Sequence, residues 1–178
     1  MNYIKLFLGL TLLTTFFCCD KLDELTKFEM TLTEEVVIKS NTVINLPFYV
    51  ETPDITTNSE STFESNNTRK DLIESITLTD LELKITVPET GNFNFLKSIK
   101  IYMSAENEDE MVLAWLDEVV ANDAGILFLE TSTEDLKNYI KSDKITLRTE
   151  SVTDELITED HHIDIKSTFF VDAKILGL

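Results

Sequence analysis

The sequence is poor in the residues that carry most enzyme chemistry. Its four glycines, at positions 9, 91, 125 and 177, cannot build a phosphate-cradling loop, which excludes P-loop and dinucleotide-binding readings. No Gly-x-Ser-x-Gly elbow is present, and only His161 and His162 offer an imidazole base. Three prolines, few glycines and a 43% hydrophobic content exclude collagen-like, low-complexity and disordered acidic chains. Cations are scarce: 33 acidic side chains oppose 15 basic ones, only Arg69 and Arg148 are arginines, and the formal charge is −18. Nucleic acid needs clustered cations to displace its counterions, so it is excluded as a partner. Electrostatic docking on anionic lipid is disfavoured for the same reason. The only cysteines, Cys18 and Cys19, are adjacent, so no disulfide framework exists. A domain of roughly 150 residues buries about 70% of its unfolded surface, enough for a core without a disulfide or metal staple.

What is present begins with Met1–Cys19 (MNYIKLFLGLTLLTTFFCC), in which Lys5 precedes a mostly apolar stretch from Leu6 to Phe17. As a helix that stretch spans about 18 Å, short of the roughly 30 Å hydrocarbon core. A short charged start and a brief apolar run fit a secretory signal peptide. Because the run ends on Cys18-Cys19, it resembles a bacterial lipoprotein signal, in which the cysteine after the cut is lipidated and becomes the new N-terminus. Cys19 fits better, since Cys18 then supplies the small preceding residue; lipidation at Cys18 is the alternative, with Phe17 a poor fit before it. Residues 1–18 are then the signal, 19–27 the lipidated cysteine and a charged tether, and 28–178 the folded domain.

From Phe28 onward the dominant signal has period two. Phe28, Met30 and Leu32 alternate with polar residues, as do Ile44, Leu46, Phe48 and Val50, where Pro47 implies an edge strand or bulge. Leu81, Leu83, Ile85 and Val87 share one face, but Ile76 and Leu78 have the opposite parity, which predicts a bulge near Thr79-Asp80. Further strands are expected at 99–103, 111–116, 126–131, 145–152, 157–165 and 169–175. The last two together would run over 60 Å at about 3.3 Å per residue, so a bend or break is expected near Lys166–Thr168, where Ser167 interrupts the apolar face. Phe169, Val171, Ala173 and Ile175 are expected to face the core. Helix is limited to a capped turn at Thr68–Ile73 and a segment at Glu134–Lys141. The Thr52–Asn67 stretch, rich in Thr, Ser and Asn, is expected to be the longest loop. About eight strands with short polar turns predict an all-β, antiparallel, immunoglobulin-like β-sandwich with one or two short connecting helices.

This pattern, together with Ile44–Glu60 (INLPFYVETPDITTNSE), Asn67–Ile73 (NTRKDLI) and Phe169–Leu176 (FFVDAKIL), resembles the small acidic β-sandwich lipoproteins of the Bacteroidota cell envelope. The resemblance implies an outer membrane lipoprotein, periplasmic or surface-facing, held by its N-terminal lipid. It carries no active site to transfer.

Three local clusters invite chemistry. In Glu159–Ile165, His161 shares parity with Ile157, Ile163 and Ile165 and is expected to be a half-buried core histidine. His162 shares the other face with Asp160 and Asp164, about 7 Å away on either side, close enough for one divalent ion if the side chains converge. A solvated acidic face is the simpler expectation. Glu106, Glu108, Asp109 and Glu110 lack the register of an EF-hand loop and fit a solvated hairpin turn. Trp115, the only tryptophan, sits in the apolar run MVLAWL and is expected in the core. No cofactor is expected. The leading functional expectation is a non-enzymatic binding module presenting loops, above all Thr52–Asn67, to a protein or glycan. A structural or assembly subunit would show an uncovered apolar patch. A lipid-anchored hydrolase would need a pocket gathering acids around His162.

Overall fold

The computed structural model describes residues 26–120 and 124–174. Residues 1–18, expected to be a signal, as well as Cys19 and Ile175, lie outside the described residues. The described chain forms ten strands in two antiparallel sheets, an all-β sandwich. In chain order the strands are β1 (Lys27–Ile38), β2 (Pro47–Glu51), β3 (Ile55–Thr56), β4 (Ile73–Val87), β5 (Leu96–Ala105), β6 (Glu108–Leu116), β7 (Ile126–Phe128), β8 (Glu130–Thr131), β9 (Lys144–Thr153) and β10 (His161–Ala173). Two short helices, α1 (Ser59–Ser65) and α2 (Lys137–Lys141), and a 3-10 turn at Lys70–Leu72 connect them. The first sheet has the order β1-β10-β4-β7 and the second β2-β9-β5-β6-β8, with β3 also paired to β9.

The alternation read from the sequence sets the facing. Ile163, Ile165, Ser167, Phe169, Val171 and Ala173 on β10 meet Ile76, Leu81, Leu83 and Ile85 on β4 and the inner residues Ile99, Ile101 and Met103 of β5 in one core. Each such aliphatic contributes roughly 1.5–3 kcal/mol by leaving water. Between Thr168 and Phe169 the pairing on β4 jumps from Asp80 to Leu78, leaving Thr79 as the extra residue of a bulge at the position where parity changes. Pro47 opens the edge strand β2, where its missing N–H costs no ladder bond.

Four expectations need correction. β10 runs unbroken from His161 to Ala173, because Ser167 is small enough to bury on the core face at 3% exposure; residues 157–160 are loop. The Thr52–Asn67 stretch is not a long loop: it carries β3 and α1, whose Phe63 is fully buried and meets Phe28 edge-on at 6.2 Å. The Thr68–Asp71 capping box does not form; Thr68 Oγ1 is buried without a hydrogen bond and Asp71 turns to Arg69 at 2.7 Å. The 126–131 segment is two strands, not one, with β7 in the first sheet, β8 in the second and the buried Leu129 at the corner.

Glycine scarcity has a visible counterpart. Among the described residues, the non-glycine positions with positive φ are Asn41, Asn45, Asn58, Asn67 and Asn107, all asparagine, the side chain that tolerates the left-handed region best. Two glycines serve close approach instead. A Cβ on Gly91 would meet Ile85 Cγ2 at 2.8 Å and the Pro88 carbonyl at 2.9 Å, and one on Gly125 would meet the Gly91 carbonyl at 3.0 Å.

Candidate functional site

The strands define two poles. Lys27, where β1 begins, lies opposite Asp172, beside the α1 and α2 connections; this is the proximal pole. Thirteen residues of β10 reach the other, distal pole, roughly 40 Å away at about 3.3 Å per residue. There the loops 39–46, 88–95 and 154–160 converge with residues 117–120 and 124–125. Asn41 N–H donates to Ile157 O at 2.9 Å, Asn45 N–H to Thr153 O at 2.7 Å and Asp154 N–H to Phe95 O at 3.1 Å. The Ser40 N–H and the Lys39 ammonium both donate to Asp160, each at 2.8 Å, holding its carboxyl down to about 2. These bonds fix the backbone and leave Val43, Leu46 and Leu156 turned outward, each more than half exposed. Ile44, Val87 and Val120 are exposed at the same pole.

Between loops 88–95 and 155–161 lies a cleft of about 220 Å³. At its base His161 packs on Phe95, ring centroids 4.6 Å apart. The imidazole Nδ1 is 3.0 Å from the Glu159 carbonyl, which can only accept, so Nδ1 carries the proton. Larger clefts at the proximal pole, of about 410 and 570 Å³, are open and polar. In their lining Thr57 Oγ1 donates to the Ser142 carbonyl, and Asp143 pairs with Lys70, which lowers its carboxyl.

A second surface is the outer face of the β2-β9-β5-β6 sheet. Arg148 lies between two tyrosines, its Cζ 5.1 Å from the Tyr49 ring and 4.0 Å from the Tyr102 ring. It donates to both Glu110 oxygens, Nε at 2.8 Å and a terminal nitrogen at 2.5 Å, which lowers the Glu110 carboxyl and raises the guanidinium. Tyr102 donates to Glu150 at 2.9 Å; burial and then that carboxylate raise its phenol. Trp115 lies on this face, half-buried and opposite Lys100, not in the core as its apolar run implies. A register shift between Ile101 and Tyr102 gives β6 an extra residue, so Leu113 and Ala114 both bury and Trp115 falls outside.

The sequence candidates have mixed fates. His161 is a core-facing histidine, as expected. Asp160, His162 and Asp164 do not converge: Asp160 turns to Lys39, while His162 Nδ1 pairs with Glu35 at 3.1 Å. Among the described residues no group of three potential metal ligands gathers. Glu106 lies in the hairpin turn of β5 and β6, and Glu110 of that acidic cluster is engaged by Arg148. Thr52–Asn67 belongs to the proximal pole. The alternation of Ile44 and Leu46 reads as strand, yet both lie in the loop before β2 and are exposed, and Val87, expected on the inner face of β4, is exposed at its end; Val43 and Leu156 carry no periodic signal.

No protein-family model matches the sequence, and no curated protein matches it. Two solved structures are similar at low scores. One, from Desmodium yellow mottle tymovirus, is 10% identical with a TM-score of 0.28, covering 85% of each chain. The other, from turnip yellow mosaic virus, is 8% identical with a TM-score of 0.27, covering 85% of this chain and 98% of that one. Scores of this size carry no argument about what the chain does.

Proposed function

We propose that the protein is a non-enzymatic, lipid-anchored module of the cell envelope that docks a protein partner at its distal pole. The supporting observation is the concentration of exposed Val43, Ile44, Leu46, Val87, Val120 and Leu156 at the pole opposite the start of β1. With Cys19 (or Cys18) acylated, residues 20–26 would tether the proximal pole to the outer membrane and turn the apolar loops away from it, toward the periplasm or the cell surface. A permanent neighbour in an assembly would use the same surface. Among the described residues no helix is long and apolar enough to cross a membrane.

The test is positional photo-crosslinking of the full chain in its native membranes. A benzophenone side chain at Leu156 or Leu46 should yield one discrete adduct, and the same group at Ser61 of α1 should not. Adducts from Ser61 alone, or none from the distal positions, overturn the docking reading. Intact-mass measurement of the mature protein should show an acylated N-terminal cysteine; a product retaining Met1 would remove the anchor.

A glycan reading is favoured by one observation, the flat stack of Tyr49, Arg148 and Tyr102 beside Trp115. Aromatic rings with polar handles suit sugar faces. Trp115 is the chain's only tryptophan, so its emission reports directly on that surface. Titration with neutral oligosaccharides should shift the emission if this face binds them; an unchanged spectrum across cello-, xylo-, malto- and chito-oligosaccharides rejects it.

A further inference from the structure

Resting on the docking reading above, we infer that the distal pole takes a basic protein surface, one whose apolar side chains are ringed by lysine and arginine. The charge around the exposed apolar residues carries this. Leu156 is flanked by Asp154, Glu155 and Glu159, Val87 by Glu89, and Val120 by Asp117 and Glu118. Of these, Glu89, Glu118, Asp154, Glu155 and Glu159 form no ion pair with another described residue, and Asp117 has only a 3.8 Å contact with Lys100. The single lysine within the distal loops, Lys39, is already paired with Asp160. Exposed Lys97 also stands at this pole, its carbonyl accepting from the Val119 N–H, but acids outnumber cations there, so the pole is an apolar centre inside a predominantly acidic rim.

That arrangement discriminates among occupants. A second copy of the chain would bring its own acidic rim against this one, and an anionic bilayer would bring a plane of like charge. Both would leave carboxylates facing carboxylates or phosphates as the apolar centres closed. A partner with a cationic rim neutralises the acids while its apolar centre removes Leu46, Leu156 and Val43 from water. The long-range field of a chain with net charge −18 also speeds the approach of such a partner, an effect that salt weakens.

The experiment uses the full-length protein in neutral detergent and three 12-residue peptides: alternating Leu and Lys, alternating Leu and Glu, and alternating Gly and Lys. Fluorescence anisotropy should show the Leu/Lys peptide binding at least about tenfold more tightly than either other peptide. Leu46→Ser with Leu156→Ser should weaken it about tenfold, and Glu155→Gln with Glu159→Gln should weaken it and flatten its salt dependence. All four positions are exposed, so thermal melts of these variants should match the parent. Binding untouched by either variant pair, equal binding of the Leu/Glu peptide, or capture by phosphatidylglycerol vesicles that Leu46→Ser with Leu156→Ser abolishes, overturns the inference. If distal photo-crosslinks persist while peptide discrimination fails, the docking reading stands and the partner chemistry falls; if both fail, neither survives.

Discussion

At the proximal pole the chain folds its connections back over the core: Phe63 of α1 and Leu136 and Ile140 around α2 are fully buried. At the distal pole the connections are irregular and turn valine and leucine into water. Buried side chains thus close both ends of the sandwich, Phe93, Phe95 and Ile157 at the distal one, but the distal end also leaves valine and leucine uncovered. Closure consumes side-chain contacts. Asp135 shows this: burial pushes its carboxyl up, but bonds from the Ile76 and Lys137 N–H groups and the Lys137 ammonium hold it below its ordinary value. Distal loops bury Phe93, Phe95 and Ile157 and are pinned by backbone carbonyls and the Asp160 carboxylate, while Val43, Leu46 and Leu156 are left unused by the fold. Stability and recognition are therefore separable along the long axis of the molecule.

The sharpest way to break this comparison is to truncate one apolar residue at each pole. Phe63→Ala should cost about 3–5 kcal/mol, whereas Leu156→Ser should stay within about 0.5 kcal/mol of the parent. Denaturant melts decide it, and equal losses would mean the distal residues do belong to the core. Gly91→Ala tests whether the distal backbone is fixed. Its new methyl meets the Pro88 carbonyl and Ile85, and overpacking of this kind costs about 1–3 kcal/mol. A neutral result would show that the 88–95 loop yields freely. The smallest effect is pH-linked. The Asp160 carboxyl, held down to about 2 by Lys39 and the Ser40 N–H, is depressed in the fold relative to the unfolded chain. Its stabilisation is present above the ordinary carboxylate value near 4 and is lost as pH falls through about 2. Asp160→Asn should therefore lower the melting temperature slightly at pH 7 and leave it unchanged below pH 2.

Much of the frame was legible because parity is a strict signal. The switch from Ile76 and Leu78 to Leu81 and Leu83 located the Thr79 bulge, since a sheet buried on one face admits no other way to bury both sets. The same signal failed at Trp115. In MVLAWL every residue but one is aliphatic, so parity is silent, and the bulge that exposes the indole is set by pairing with β5. Ser167 misled in the opposite direction, since a hydroxyl on an apolar face reads as an interruption yet fits a buried site. Helix α1 was hidden because SESTFES offers one apolar side chain, and its docking against Phe28 is a tertiary event. The Tyr49–Arg148–Tyr102 stack joins three strands distant in sequence, and no local spacing announces it.

The twelve-pair ladder between β1 and β10, from Lys27–Asp172 to Ile38–His161, has a mechanical meaning. Suppose a partner at the distal pole pulls against an anchored N-terminus. Tension on Val43 or Leu46 passes straight down the β1 backbone. Tension on Leu156 enters β10 and must cross to β1 as shear, with every interstrand bond strained together. Bonds that share a load in this way resist far longer than bonds peeled one at a time, and resistance to force is set by the rate of unfolding. The axis that separates the two poles is also the direction in which this molecule is hardest to tear.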